Sequence, residues 1–267
     1  MSTRTGHREL TELRARLVGR DLAIVGMVAD LRLMSGRQLE TIFFSSEFHD
    51  SYDSASRAAR RVLVRLVEER VLVRLNRQIG GIRAGSRAFV YGLGPVGHRL
   101  LERTTSRPRY REPSALFVDH TLAIAQFVVT VIDASRQGRC ELIGWQGEPR
   151  CWRTFSSVGG RITLRPDLYL ALGVGDYEHR FFIEVDRDTE HLPSIYRKAV
   201  LYDRYYRSGR EQSKNDGLFP TVLFVASDAK RAQAIKRGLQ VMKKLPPKLF
   251  ATTCDDDVLE ELLGANS

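Results

Sequence analysis

The amino-acid sequence predicts an α/β fold (α+β overall) divided into two domains. In the first 103 residues, short helical patterns precede two strand patterns, whereas later in the chain helical and strand patterns alternate. A polar stretch with two prolines, residues 104–114, separates these regions and is typical of a linker. The later strand Thr221–Ala226 is apolar, as expected in the middle of a central mixed sheet. The predicted boundaries are residues 1–103, a linker at 104–116 and a second domain at 117–267.

The first domain is predicted to contain three helices, a two-stranded hairpin and a closing helix. The predicted elements are a helical repeat from Leu22 to Leu33 with Asp21 as N-cap, a helix Arg37–Phe44 with Ser35 as N-cap, a helix from Ser54 or Ser56 to about Arg70, strands Val71–Leu75 and Ala88–Leu93, and a helix from Pro95 to Arg103. A segment rich in Gly and Arg, residues 76–87, joins the two strands. This order is typical of a winged helix-turn-helix, in which the third helix reads DNA.

The charge distribution supports a nucleic-acid partner for the first domain. The net charge of +10 lies within residues 1–111, which hold 21 basic and 11 acidic side chains, while the remaining residues hold 21 of each. Every basic residue in the first segment is arginine, whose guanidinium group matches phosphates and guanine edges. Double-stranded DNA is therefore the expected partner, and a basic surface that only maintains solubility is the alternative.

An arginine stripe on the predicted third helix and the arginines of the wing are the candidate DNA contacts. No acidic residue lies between positions 54 and 65, whereas a helix face that is merely solvated usually mixes charges. Spacings of three and four residues place the stripe on one exposed side. The candidate DNA-binding residues are Arg57, Arg60, Arg61 and Arg65 on the helix and Arg77, Arg83 and Arg87 on the wing.

The second domain is predicted to alternate helices and strands. The predicted elements are helix Val118–Ser135, strand Glu141–Trp145, a hairpin of Ile162–Leu172 and Arg180–Asp186, helix Ser194–Tyr206, strand Thr221–Ala226, helix Asp228–Lys243, strand Lys248–Thr253 and a helix after Asp255–Asp257. If the hairpin closes symmetrically about residues 175–176, residues whose numbers sum to 351 face each other. The facing pairs are then Asp167 with Glu184, Arg165 with Asp186, and Tyr169 with Phe182.

Two facing carboxylates repel each other, and a divalent cation would relieve the repulsion. Hard oxygen ligands of this kind suit Mg²⁺ or Mn²⁺, so Asp167 and Glu184 are the candidate metal ligands. The structural alternative is that Arg165 and Asp186 form an ordinary cross-strand ion pair and that Asp167 accepts a backbone N–H.

The sequence Arg165-Pro166-Asp167, followed after a gap by Glu184-Val185-Asp186, resembles the PD-(D/E)xK core of restriction-endonuclease-like proteins. The resemblance implies that Asp167 and Glu184 bind a metal ion and that a lysine orients or deprotonates the attacking water. Asp186 occupies the lysine position, and Lys198 on the next helix is the candidate substitute. Lys198-x-x-x-Tyr202 is also similar to the Gln-x-x-x-Tyr motif of some nucleases. The candidate catalytic residues are Asp167, Glu184, Asp186 and Lys198.

Four stretches carry a second resemblance: Arg20-Asp-Leu-Ala-Ile, Ser86-Arg-Ala-Phe-Val-Tyr-Gly-Leu, Leu164-Arg-Pro-Asp and Phe182-Ile-Glu-Val-Asp-Arg-Asp-Thr-Glu190. With these stretches the whole chain resembles the replication-relaxation family of plasmid and conjugative-element proteins. The resemblance implies a DNA-associated role in replication, relaxation or transfer, with other replication or conjugation proteins as partners. Two classes stay open: a metal-dependent nuclease or nickase, and a non-enzymatic DNA-binding regulator. A lysine near the two acids favours the first class, and an Arg165–Asp186 pair favours the second.

Several other classes of protein are disfavoured. The N-terminus lacks the apolar segment of a secretory signal, the apolar runs are shorter than a membrane span, and the three cysteines form no C-x-x-C motif. A cytoplasmic protein is therefore expected, and a homodimer is compatible with this interpretation. A tyrosine nucleophile from among Tyr202, Tyr205 and Tyr206 is disfavoured because no His-x-His ligand pair accompanies it, and no P-loop motif exists.

Overall fold

The computed structural model describes residues 6–44, 51–79, 88–101, 112–157, 160–188, 191–242 and 244–264. The chain divides into two compact units, Met1–Val129 and Thr130–Ser267, with the division inside its longest helix. The predicted α/β class with a central mixed sheet is confirmed. Most of the predicted linker, residues 104–111, lies outside the described residues.

The N-terminal unit consists of helices and a three-stranded antiparallel sheet in the order β1-β3-β2. Its elements are α1 His7–Arg16, α2 Gly19–Leu31, β1 Leu33–Ser35, α3 Gly36–Phe43, α4 Tyr52–Glu68, β2 Leu72–Ile79, β3 Ala88–Leu93, α5 Pro95–Leu100 and the first part of α6 Ala115–Arg136. The sequence did not predict α1 or the short β1. The winged helix-turn-helix interpretation stays a prediction, because residues 45–50 and 80–87 lie outside the described part of the chain.

Helix starts in this unit follow capping chemistry. Ser35 caps α3 as predicted: its Oγ accepts the Gln38 N–H at 3.2 Å, and Gln38 Oε1 accepts the Ser35 N–H at 2.9 Å. The predicted start of α4 at Ser54 or Ser56 is wrong, because Ser51 is the N-cap and accepts the Ser54 N–H at 3.2 Å. All three serines suit an N-cap, so residue type alone did not distinguish them.

Asp21 is not the N-cap of α2, which begins at Gly19 after the N-cap Val18. The Asp21 carboxylate instead reaches back and accepts the Val18 N–H at 3.2 Å. An acid in the first turn can satisfy the same unpaired amide as an N-cap residue, so the sequence pattern placed the helix start too late.

Helix α5 approaches the end of α4 closely through two glycines. The Gly94 N–H donates to the Val71 carbonyl at 2.8 Å, and the Val96 N–H donates to the Arg70 carbonyl at 3.1 Å. A Cβ atom on Gly97 would lie 2.3 Å from the Val71 carbonyl oxygen. This contact is with backbone, so relief requires movement of the chain itself.

We expect Gly97→Ala to lower the free energy of unfolding by about 1–3 kcal/mol, the usual cost of overpacking. Gly26→Ala in α2 is the matched control, because a Cβ at Gly26 meets nothing within 4 Å and alanine favours a helix. Urea denaturation of both variants checks the prediction. Equal stability of the two variants would contradict the close approach of α5.

The C-terminal unit is built on a five-stranded sheet in the order β10-β9-β8-β7-β4, with a separate β5-β6 pair. Its elements are the second part of α6, β4 Glu141–Gly147, β5 Arg153–Ser157, β6 Gly160–Leu164, β7 Leu168–Val174, β8 Tyr177–Asp186, α7 Leu192–Arg207, β9 Thr221–Ala226, α8 Ala229–Val241, β10 Phe250–Cys254 and α9 Val258–Leu263. Strands β4, β7 and β8 are antiparallel, and β8, β9 and β10 are parallel. The restriction-endonuclease-like assignment of this unit stays a prediction.

The predicted hairpin register is confirmed, since Tyr169 pairs with Phe182 and Leu168 with Ile183. The prediction of one continuous strand over Ile162–Leu172 is wrong, because β6 ends at Leu164 and β7 begins in a different sheet. Pro166 lies in the break, where its missing N–H and fixed φ interrupt a ladder. Strand β5, the partner of β6, was not predicted.

One face of the sheet lies under α7 and α8. Buried side chains of this face, including Phe182 and Phe224, form one cluster with Tyr202 of α7 and Ile235 of α8. Residues alternate across a strand, so Glu184, two positions after Phe182, also lies on the face toward α7.

Helix α6 is the one helix in the described residues that is long and apolar enough to span a membrane by length and composition alone. The sequence interpretation judged the apolar run Leu122–Ile132 too short for a membrane span, whereas the whole helix is long enough. Val118, Ala125 and Val131 are almost fully buried, which is also what the core helix of a globular domain shows.

Candidate active site and nucleic-acid interface

Asp167 and Glu184 lie side by side at one end of the β7–β8 hairpin. The Asp167 N–H donates to the Ile183 carbonyl at 3.1 Å, and the Val185 N–H donates to Asp167 Oδ2 at 2.8 Å. These two bonds fix the residue before β7 against β8. Asp167 is 8% exposed and Glu184 is 3% exposed. The hairpin thus buries the two predicted metal ligands next to each other.

Helix α7 supplies two donors to the Glu184 carboxylate. Lys198 Nζ lies 3.0 Å from Oε2, and the Tyr202 hydroxyl donates to Oε1 at 2.6 Å. Lys198 and Tyr202 are four residues apart and therefore occupy one face of the helix. Lys198, the predicted substitute for the lysine that the strand lacks, thus contacts Glu184, and its catalytic role stays a prediction.

Burial raises the pKa of the Glu184 carboxyl from its ordinary 4.5 to about 7. The Lys198 ammonium and the Tyr202 hydrogen bond oppose this change, while the negative charge of Asp167 adds to it. The pKa of Tyr202 is raised well above its usual value, first by burial and then by Glu184, so its hydroxyl remains a donor. Glu184 can therefore change protonation state near neutral pH, as acid–base groups in active sites do.

Asp186 does not pair with Arg165, and that prediction is wrong. Asp186 Oδ2 instead accepts a hydrogen bond from Arg231 Nε at 2.6 Å, and the same nitrogen lies 2.8 Å from Asp188. The Arg165 guanidinium lies 4.8 Å from the centroid of the Trp152 ring. Arg165 lies outside the β7–β8 ladder, so the rule that residues whose numbers sum to 351 face each other does not extend to it.

The donor set fits a hard divalent cation that keeps water or phosphate ligands. No cluster of three or more His, Cys, Asp or Glu side chains is found among the described residues. The site offers two carboxylates, those of Asp167 and Glu184. Mg²⁺ is commonly held by one or two carboxylates together with substrate phosphates and water. A structural zinc site, by contrast, requires four protein ligands.

Helix α4 presents three of the predicted DNA contacts to solvent. Arg57, Arg60 and Arg61 are exposed, and within the described part of the chain none of them forms an ion pair. Of the wing arginines, the Arg77 side chain and the whole of Arg83 and Arg87 lie outside the described residues.

Arg65, the fourth arginine of the predicted stripe, is engaged inside the N-terminal unit. Its guanidinium lies 2.8 Å from the Asp21 carboxylate, which is 1% exposed, and 3.5 Å from Glu69. This pair compensates the buried charge of Asp21, so Arg65 has a structural role.

A second polar network, which the sequence interpretation missed, surrounds Glu211 in the C-terminal unit. Glu211 is 3% exposed, lies 3.1 Å from Arg153 Nε and accepts a hydrogen bond from the Tyr205 hydroxyl. The network lies beside a cavity of about 560 Å³. Glu211 follows α7 in an irregular segment, so no periodic pattern marks it in the sequence.

Comparison with known proteins gives one match. A family model described as replication-relaxation matches residues 25–222, which is most of the chain and extends across both units. No curated protein and no solved structure matches the chain.

Proposed function

The chain belongs to the replication-relaxation family, and from this premise we propose that it binds DNA and cleaves a DNA phosphodiester bond with the help of Mg²⁺ or Mn²⁺. Family membership itself indicates a role in plasmid replication or relaxation, with DNA and replication-related proteins as partners. DNA binding and DNA cleavage go beyond what family membership indicates, and they are what we propose.

The observation behind the cleavage proposal is the convergence of Lys198 and Tyr202 on Glu184, next to Asp167. The sequence left two classes open and distinguished them by two contacts. A lysine beside the two acids is expected of an enzyme, and Lys198 Nζ lies 3.0 Å from Glu184 Oε2. The contact expected of a regulator, an Arg165–Asp186 pair, does not form, because Asp186 binds Arg231. Both observations support the enzyme.

In the proposed reaction Asp167 and Glu184 hold the metal ion, which when bound supplies charge stabilisation and lowers the pKa of the attacking water. Lys198 balances the charge of Glu184 and places a positive charge beside the site of the phosphate. Tyr202 fixes the Glu184 rotamer, and the Val185 N–H fixes Asp167. The protein thereby holds both acids before DNA arrives, which is how preorganised sites favour the transition state.

The second candidate is a DNA-binding regulator whose nuclease-like site is inactive. One contact favours it: Asp167 accepts the buried Val185 N–H at 2.8 Å, which is a structural use of the carboxylate. In that case the two acids stabilise the hairpin and no metal binds.

Incubation of the full chain with supercoiled plasmid in Mg²⁺, Mn²⁺ or EDTA tests the proposal. We expect nicked or linear plasmid with either metal and unchanged plasmid in EDTA. Unchanged plasmid under all three conditions would contradict cleavage. Covalently closed, relaxed plasmid would indicate a strand-passing or tyrosine-nucleophile mechanism instead.

We propose that α4 contacts the DNA through its exposed arginines. Arg60→Ala combined with Arg61→Ala should weaken binding of duplex DNA by more than about 1 kcal/mol. The slope of log Kd against log[salt] should decrease by about two. Fluorescence anisotropy at several salt concentrations measures both quantities.

Lys230→Ala combined with Arg237→Ala removes the same charge from the exposed side of α8 and serves as the control. If both double variants weaken binding equally, the effect reflects net charge, and α4 is not the DNA-contacting helix.

A further inference from the structure

The C-terminal unit contains a cavity that the cleavage proposal does not use. It lies among β5, β7, the end of α7 and the segment that follows α7, and its volume is about 560 Å³. This volume is within the range of sites for small ligands. We call it the Arg210 pocket, after one of its lining residues; the others used below are Trp152, Arg153, Tyr169, Glu211 and Lys214.

The Arg210 pocket lies close to the acid pair along the same strands. Tyr169 lines it and follows Asp167 by two residues, so their Cα atoms lie about 7 Å apart. Arg153 packs against side chains of both β7 and β8. Its guanidinium lies 5.2 Å from the centroid of the Tyr169 ring and 5.3 Å from the centroid of the Phe182 ring. The pocket therefore lies near Asp167 along the hairpin, and a strand longer than one nucleotide is long enough to reach from the pocket toward the acid pair.

The charges of the pocket favour an anion. Its buried acid, Glu211, is already neutralised by Arg153 and also accepts a hydrogen bond from Asn215 Nδ2 at 3.1 Å. Arg210 and Lys214 are exposed at the pocket, and neither forms an ion pair within the described ranges. The two cations thus give the lining an excess of positive charge, which attracts phosphate.

The pocket also contains aromatic rings beside guanidinium groups. Trp152 and Tyr169 line it, with Arg165 at 4.8 Å from the Trp152 ring. Proteins bind single nucleic-acid strands through this combination, because cations follow the phosphates while aromatic rings and guanidinium planes stack on bases. A duplex keeps its bases stacked internally, so this recognition favours an unpaired nucleotide.

We infer that the Arg210 pocket binds one nucleotide of a single DNA strand. The phosphate binds to Arg210 and Lys214, and the base packs against Trp152. This inference rests on the proposed function, because that function supplies DNA as the ligand and places a neighbouring phosphodiester of the same strand at Asp167 and Glu184. The pocket thereby positions the strand to be cut.

The test uses Trp152 as its own reporter. The chain has two tryptophans, so Trp145→Phe leaves Trp152 as the only one. This full-length variant is titrated with 5′-phosphorylated thymidine trinucleotide in EDTA, and we expect a saturable change in tryptophan emission. Adding Arg210→Ala and Lys214→Ala should raise the apparent Kd at least about tenfold. Both side chains are exposed, and a thermal melt checks that the fold is retained.

A matched variant separates the pocket from general charge effects. Lys230→Ala with Arg237→Ala removes equal charge elsewhere on the same unit. It should change the trinucleotide Kd by less than about twofold, since neither residue lines the pocket.

Four results would overturn the inference. They are no emission change at millimolar trinucleotide, an equal loss of affinity in the Lys230→Ala, Arg237→Ala control, displacement of the trinucleotide by inorganic phosphate at the same concentration, and displacement by a blunt duplex that is as effective as displacement by a single strand. The binding assay needs neither metal nor cleavage. Plasmid cleavage with an unresponsive Trp152 therefore overturns only the pocket, while trinucleotide binding without plasmid cleavage supports the pocket and overturns the proposed nuclease.

Discussion

Asp167→Asn should reduce metal-dependent plasmid cleavage by at least about a thousandfold, since a bound cation contributes several kcal/mol of transition-state stabilisation. The fold should survive, because an asparagine carbonyl oxygen can still accept the Val185 N–H that Asp167 accepts at 2.8 Å. The initial rate of nicking measures the effect. Asp203→Asn is the matched control: Asp203 pairs on α7 with Arg207, away from Glu184, and its loss should leave the rate unchanged.

Thermal melts add a readout that does not depend on turnover. Millimolar Mg²⁺ or Mn²⁺ should raise the Tm of the wild type by mass action, and Asp167→Asn should lose most of that increase. Without metal, Asp167→Asn should melt no lower than the wild type, because it removes repulsion with Glu184. A Tm that does not respond to metal, together with a destabilised Asp167→Asn, would support the non-enzymatic regulator.

The stability of the metal-free protein should fall as pH rises from about 4.5 to about 7, because of Glu184. Its carboxyl has an ordinary pKa of 4.5 in the unfolded chain and a pKa of about 7 in the fold, so in this range the folded state binds more protons. The contribution is fully present below pH 4.5 and is lost as pH rises through 7. At 1.36 kcal/mol per pKa unit, the change from this group is at most about 3 kcal/mol.

Glu184→Gln isolates this titration from those of other groups. The difference in unfolding free energy between Glu184→Gln and the wild type should shift in favour of the variant between pH 5 and pH 8, by up to about 3 kcal/mol. Urea denaturation at four pH values in EDTA measures it. A constant difference across this range would show that Glu184 titrates at its ordinary pKa.

The acid pair was predictable because its geometry is local. Strand alternation and one tight turn determine which side chains of a hairpin face each other, and Tyr169 does lie opposite Phe182. Likewise, a spacing of four residues places Lys198 and Tyr202 on one side of a helix wherever that helix packs. The N-cap Ser35 is a third local prediction that the structure confirms.

The partners of these residues were less predictable because they depend on packing between distant segments. Arg231 follows Asp186 by 45 residues, and Glu211 follows Arg153 by 58. Which cation reaches which carboxylate depends on how α8 and the segment after α7 pack over the sheet, and no periodic pattern encodes that. The sequence offered Arg165 as the partner of Asp186 only because the pairing rule of the hairpin placed them opposite each other.

If α4 contacts DNA as proposed, the salt bridge between Arg65 and Asp21 limits how much DNA sequence this helix can read. With Arg65 engaged, the available arginines of α4 extend only from Arg57 to Arg61. At 1.5 Å of helix rise per residue, these cations span about 6 Å, which matches about two base pairs at 3.4 Å each. Selection of a unique site on a plasmid requires more information than two base pairs, so any such selectivity must come from additional contacts elsewhere in the chain or from a second copy bound nearby.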